Sequence, residues 1–253
     1  MNFFKSFFVS KGKNLFILKF GNFLSKQIEA EEHQLVVDCL EEDKKAIYVD
    51  LGCLDGNTTT VYARKIKPAK IFGLDLFIHF LKRGSKEFQI IGKKCNLNKT
   101  FPLEDNSVDV VTTSHSIEHL TDTDNFLSEV KRVLKPKGYV VISTDNLASW
   151  MDIFFLILGK QPRTGPTIST KYLVTTNPLW WESGEGGIQN IEWPMHHNVM
   201  TMKTLELLLT RYGFKVEKVL GAGYPPVPYP FASFFTKLDL YHSMFMVIKA
   251  RKI

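Results

Sequence analysis

Residues 47–57 read IYVDLGCLDGN, and the fold follows from how this stretch is parsed. Its first half is apolar and β-branched, which suits a strand buried on both faces of a parallel sheet. The strand runs into Asp50, the chain turns through Gly52 and Gly56, and a helix is predicted over 57–66. Glycines at such a turn let the backbone approach a ligand closely with no Cβ in the way. Ligands of open α/β sheets bind outside the carboxyl ends of the strands, where the strand order reverses. The spacing is GxxxG, not the GxGxxG of a dinucleotide fingerprint.

Working outward, Ile28, Leu35, Val36 and Leu40 share one face of a helix predicted over 27–40, which the polar cluster Glu41–Lys45 ends. The strand that runs into Asp50 spans 46–51, and further strands are predicted over 70–76, 89–92, 108–113, 139–144, 214–220 and 243–250, with a helix over 124–134 and a turn at KPKG, residues 135–138. Thr201 as N-cap and Gly213 as stop enclose another helix, MKTLELLLTRY. Strands alternating with helices at this pace imply βαβ units and a parallel sheet. Asp75 ends the second strand, 25 positions after Asp50. A carboxylate placed there can accept from both hydroxyls of an adenosine ribose.

The 253 residues are 44% hydrophobic and 23% charged, which excludes disordered, collagen-like and coiled-coil chains. One elaborated domain is expected at this size. Lysine and arginine number 32 against 26 acids, a net +6. That excess permits an anionic membrane surface or a phosphorylated substrate; nucleic acid is not expected as a partner. Cys39, Cys53 and Cys95 are odd in number and far apart, so neither a disulfide framework nor a CxxC zinc site is expected, and a reducing cytoplasm fits. No run approaches the ~20 apolar residues that span a bilayer.

Two stretches depart from the α/β rhythm. Residues 1–26 are basic and aromatic: Phe3, Phe4, Phe7 and Phe8 recur at helical spacing, and five lysines precede the first acid, Glu29. Such a segment either makes a weak peripheral contact with the inner membrane face or folds as a flap over the domain's own pocket. Residues 146–198, within the domain at 27–253, carry Trp180, Trp181, Trp193 and the glycine-rich ESGEGG. A long aromatic insertion after the fifth strand is expected to be a lid or substrate-binding segment.

Together these features resemble the class I S-adenosylmethionine-dependent methyltransferases of the type 11, small-molecule kind. Asp50, Gly52 and Gly56 match that family's acid-x-glycine-x-glycine-x-glycine loop, with Leu54 in place of the middle glycine. Asp75 matches the ribose-binding acid, and Asn96 in CNL stands where an aspartate usually meets the adenine amino group. FPLEDNSVDVVTTSHSIEHLTD (101–122) and VKRVLKPKGYVVISTDN (130–146) resemble the family's fourth-strand and fifth-strand motifs. The resemblance implies a Rossmann-like, doubly wound, seven-stranded, mostly parallel sheet with an antiparallel last strand. It also implies S-adenosyl-L-methionine as cofactor, held by Asp50, Gly52, Cys53, Leu54, Gly56, Asp75, Leu76, Asn96, Leu97 and Ser114.

A sulfonium is already an activated methyl donor, so alignment for in-line displacement supplies much of the rate, and a base matters only for a protonated acceptor. His115 after the fourth strand and His197 before the late helix are the candidate bases among His115, His119, His196 and His197. No metal is expected. The acceptor implied is a small molecule or a glycan or lipid precursor. A cofactor-binding module without catalysis is the alternative. A nicotinamide-dependent oxidoreductase ranks lower, since no Tyr-x-x-x-Lys pair lies on a predicted helix.

Overall fold

The computed structural model describes residues 14–83, 87–166, 195–225, 227 and 231–253. Phe3, Phe4, Phe7, Phe8, Trp180, Trp181 and Trp193 lie outside the described residues. Seven strands, β1 (Ile47–Leu51), β2 (Lys70–Asp75), β3 (Ile90–Lys94), β4 (Val108–Ser114), β5 (Leu134–Asp145), β6 (Phe214–Ala222) and β7 (Phe245–Lys252), form one sheet in the order β3-β2-β1-β4-β5-β7-β6. β1 to β5 pair in parallel, and β7 runs antiparallel to both β5 and β6. This is the expected sheet. The order reverses between β1 and β4, which opens a crevice at their carboxyl ends.

Six helices accompany it among the described residues: α1 (Asn14–Cys39), α2 (Asn57–Ile66), α3 (Thr123–Val133), α4 (Trp150–Ile157), α5 (Met202–Arg211) and α6 (Phe231–Leu238). The two-residue period of β5 builds a core on each face. Val140 and Ile142 pack with Phe126, Leu127, Leu205 and Leu209 of α3 and α5. Tyr139 and Val141 pack with Val36, Tyr62, Ala63 and Ile66 of α1 and α2 on the other face. Asp122 caps α3 by accepting from the Asn125 N–H at 2.8 Å, and the Thr201 hydroxyl does the same for α5 from the Thr204 N–H.

Three expectations change. The division at 26/27 falls inside α1, which runs unbroken from Asn14 to Cys39. Gly21 lies within that helix, and a single glycine costs a helix only ~1 kcal/mol. KPKG is not a free turn: Leu134 pairs with Val108 and Tyr139 with Val110, so residues 135–138 form an irregularity inside β5. α4 and α6 add to the predicted elements, and both lie at the carboxyl edge of the sheet, after β5 and between β6 and β7.

Candidate functional site

A cavity of about 780 Å³ opens at the crevice, walled by the ends of β1, β2, β4 and β5 and by α1. Its lining includes Asp50, Gly52, Cys53, Leu54, Asp75, Leu76, Asn96, Leu97, Ser114 and His115. Gly56 and His197 are not part of it.

The loop after β1 is shaped by left-handed backbone. Gly52 has φ +80°, and its N–H donates to the Leu74 carbonyl at 2.8 Å. Leu54, where the motif has glycine, takes φ +43° and donates its N–H to Asp75 Oδ2 at 2.9 Å. A non-glycine residue pays ~1–2 kcal/mol for that conformation, so the loop keeps a glycine-like course at a local cost that the Asp75 bond offsets. Gly56 has φ +80° and opens α2; a Cβ there would lie 2.7 Å from Leu81 Cδ1. Its task is therefore close packing beneath the loop rather than lining the cavity.

Asp50 is only 4% exposed and accepts from the hydroxyls of Thr59 (2.5 Å) and Thr112 (2.7 Å). Burial pushes its carboxyl up to about 6 despite those two bonds. An acid raised in the folded state stabilises it below the unfolded value near 3.9, and that contribution is lost as pH climbs through about 6. Asp50→Asn should accordingly melt above the parent at pH 7–8, by roughly 1–3 kcal/mol, with the gap closing toward pH 4. Thermal melts across that range check it, and a variant less stable than the parent at every pH would show that the two threonine bonds require the carboxylate.

Asp75 turns its second oxygen to the Phe77 N–H at 2.7 Å, so it organises both the glycine loop and the turn after β2. Asn96 is exposed on the cavity wall, and its Oδ1 accepts from the Asn98 N–H at 3.0 Å. That turn orients the amide from its own loop. Burial raises the Cys53 thiol well above its ordinary value, which leaves it an apolar wall rather than a nucleophile.

At the far end stands a charged cluster. His115 sits at φ +48°, with Nε2 2.9 Å from Glu32 of α1 and Nδ1 3.2 Å from Glu118. Both glutamates are 1% exposed, and Glu118 also accepts from the Thr144 hydroxyl at 2.8 Å. Desolvation alone would push the His115 ring down. The charges and hydrogen bonds of Glu32 and Glu118 outweigh it and hold the ring well above its usual value. His115 is thus an imidazolium donating from both nitrogens, which is the wrong state for the base expected from the sequence. Asp145 ion-pairs with Arg163 at 2.5 Å, and that charge overcomes burial to keep its carboxyl low.

The other expected base, His197, is exposed and outside the cavity; its backbone N–H donates to the Glu118 carbonyl at 2.7 Å. Besides His33 and His115, the cavity is lined by His119 and His196, with ring centroids 4.8 Å apart. Burial lowers His119, chiefly against the pull of Glu118, so it is neutral at pH 7. Its Nδ1 is buried and has no hydrogen-bond partner among the described residues. Glu118, His119 and His196 bring ligating atoms within 4.8 Å of one another, as do His115, Glu118 and Asp145. Protein donors already occupy both Glu118 oxygens and Asp145 Oδ1.

Residues 49–142 match the family model of a methyltransferase domain. The chain is 33% identical over 101 residues to demethylmenaquinone methyltransferase of Lactobacillus johnsonii, covering 37% of this chain and 41% of that one. It is 30% identical over 110 residues to malonyl-[acyl-carrier protein] O-methyltransferase of Marinomonas sp., covering 42% and 41%. The chain therefore spans less than half the length of these relatives. In fold it is similar to an S-adenosylmethionine-dependent methyltransferase structure from Mesorhizobium loti, with TM-score 0.58, 20% identity, and coverage of 87% of this chain and 96% of that one.

Proposed function

We propose that the chain, whose residues 49–142 match a methyltransferase domain, is a class I S-adenosylmethionine-dependent methyltransferase that moves a methyl group from that cofactor to a small-molecule or glycan- or lipid-linked acceptor. The observation that carries this reading is the cradle at residues 52–54, left-handed at both Gly52 and Leu54 and tied to Asp75. A Cβ at Gly52 would strike Ser116, which lines the same cavity, and a cavity of about 780 Å³ is ample for a nucleoside-sized ligand. The residues fit the cofactor. Gly52, Cys53 and Leu54 would hold its amino-acid part by backbone contacts, Asp75 and Leu76 the ribose, and Asn96 and Leu97 the adenine. When bound, the cofactor supplies a methyl group already activated by a sulfonium.

The chain's own task is then to orient the acceptor, exclude water and take up a proton where the acceptor carries one. His115 neutralises two buried carboxylates and anchors α1 over the cavity. The neutral, partly unsatisfied His119, with His196 beside it, is the better-placed base. The relatives named for demethylmenaquinone and malonyl-acyl carrier protein favour a small-molecule acceptor or one carried on a larger group.

Calorimetric titration with S-adenosylmethionine beside NAD tests the cofactor, and release of labelled methyl to a panel of hydroxylated acceptors tests turnover. Binding of NAD alone would sink the reading; cofactor binding with no transfer would favour a non-catalytic module. With a hydroxyl acceptor, His119→Gln should lower kcat by about 10²–10⁴ while leaving cofactor affinity and acceptor KM near the parent values. An unchanged kcat would remove His119 from the chemistry.

A further inference from the structure

The apolar stripe of α6 faces away from the core. Phe231, Phe234, Phe235 and Leu238, at i, i+3, i+4 and i+7, are 66%, 59%, 41% and 69% exposed, while the helix buries Ala232 and Thr236. α4 repeats the arrangement. Trp150, Phe154, Ile157 and Leu158, at i, i+4, i+7 and i+8, are 46%, 58%, 76% and 52% exposed, and the buried residue of that helix is Asp152. α4 reaches the segment just after α6, where Trp150 Nε1 donates to Asp239 Oδ2 at 2.7 Å and the Trp150 ring lies 4.6 Å from that of His242. An amphipathic helix that shows water its apolar side marks an interaction surface.

Charge identifies the partner. Lys160 and Lys237 are exposed beside the two stripes. The acid of α4, Asp152, is buried and accepts from the Arg163 N–H and the Thr164 hydroxyl; Asp239, just after α6 and about a third exposed, is engaged by Trp150, Tyr224 and His242. Apolar stripes edged by lysine, with no outward acid on these two helices, complement an anionic lipid surface. A second copy of the chain fits less well, because a two-fold contact would set these lysines against their own equivalents.

We infer that α4 and α6 form a membrane-docking face, their apolar stripes entering the headgroup–acyl boundary of an anionic bilayer while Lys160 and Lys237 meet lipid phosphates. α4 is joined to the cavity wall through Arg163, which lines the cavity, donates its backbone N–H to Asp152 of α4 at 2.7 Å and pairs its guanidinium with Asp145 at the end of β5. If the methyl-transfer reading holds, docking brings the cavity to an acceptor resident in the membrane. The docking itself does not depend on that reading.

Co-sedimentation of the full chain with phosphatidylcholine vesicles, with and without phosphatidylglycerol, tests the inference. The parent should bind the anionic vesicles preferentially and lose binding as salt is raised over the range where the Debye length falls below ~8 Å. The pair Phe234→Ser and Leu238→Ser should lower partitioning by at least about tenfold, with melting temperature and cofactor affinity unchanged because both residues are exposed. The pair Lys160→Glu and Lys237→Glu should abolish the preference for anionic lipid. Three results would overturn it. One is an α6 variant that binds vesicles like the parent. Another is binding abolished by serines at Phe3, Phe4, Phe7 and Phe8 but untouched by the α6 pair, which would place the contact on the N-terminal segment. The third is a concentration-dependent dimer in sedimentation velocity that the α6 pair dissolves. Loss of cofactor affinity in the cavity would sink the methyl-transfer reading while leaving docking intact, so the two failures are distinguishable.

Discussion

Gly52→Val is expected to abolish S-adenosylmethionine binding. Gly52 sits at φ +80°, where a β-branched residue is an outlier, and an added Cβ would lie 2.0 Å from Ser116 Oγ and 3.0 Å from Ser116 Cβ. Either the loop leaves its left-handed course or Ser116 moves, and Ser116 Oγ itself bonds the Leu51 carbonyl at the end of β1. The strained conformation costs ~1–3 kcal/mol, so the variant should still fold, with a lowered melting temperature. Asp75→Ala gives the graded companion. It removes both the acceptor toward the ribose and the bonds to the Leu54 and Phe77 N–H groups, and should weaken cofactor binding by about 1.5–3 kcal/mol, the scale of hydrogen bonds to a charged group. Titration calorimetry measures both. If the two variants bind like the parent, the cofactor lies elsewhere and the assignment of the cradle fails.

His115→Asn should destabilise the fold more than Asp50→Asn, Asp75→Ala or His119→Gln. Asparagine tolerates the left-handed backbone at φ +48°, so the change isolates the loss of charge. It leaves Glu32 and Glu118, each 1% exposed, without their shared cation. Stripping one partner from a buried ion pair costs ~3–5 kcal/mol. The His115 side chain is itself 36% exposed, so solvent screening reduces the expected loss to about 2–4 kcal/mol. The pH dependence follows from the direction of its shift. A histidine raised in the folded state contributes fully below the unfolded value near 6.5, and the contribution fades as pH rises through the folded value. Denaturant midpoints at neutral and strongly alkaline pH should show the gap between parent and variant narrowing in alkali. A gap that stays constant would mean that the ring is neutral throughout. Because Glu32 belongs to α1, the same variant should also loosen the helix that roofs the cavity, read as faster amide exchange along its described turns.

The α/β alternation, the seven strands and the glycine turn were legible because each rests on a local rule. Strand residues repeat every two positions, and Gly52 and Gly56 both need φ +80° wherever the rest of the chain lies. Asp75 is legible by the same logic, as the acid ending the strand beside β1. The site's charges were not legible. Glu32 reaches His115 across 83 positions, and nothing near either residue announces the pair. Only the folded arrangement turns His115 from a candidate base into an imidazolium. Likewise His196 and His197 are neighbours in a segment without regular structure, and composition cannot say which ring enters the cavity and which meets water.

α6 makes the same point for surfaces. The positions of Phe231, Phe234, Phe235 and Leu238 are a complete helical stripe in the sequence, and periodicity alone would turn that stripe to the core. The sequence by itself thus determines the repeat, the turn and the elements, because backbone sterics and side-chain period are properties of a few consecutive residues. Which way a stripe faces, and which state a buried histidine holds, are decided by tertiary structure, because burial and electrostatic partnership exist only once distant segments meet.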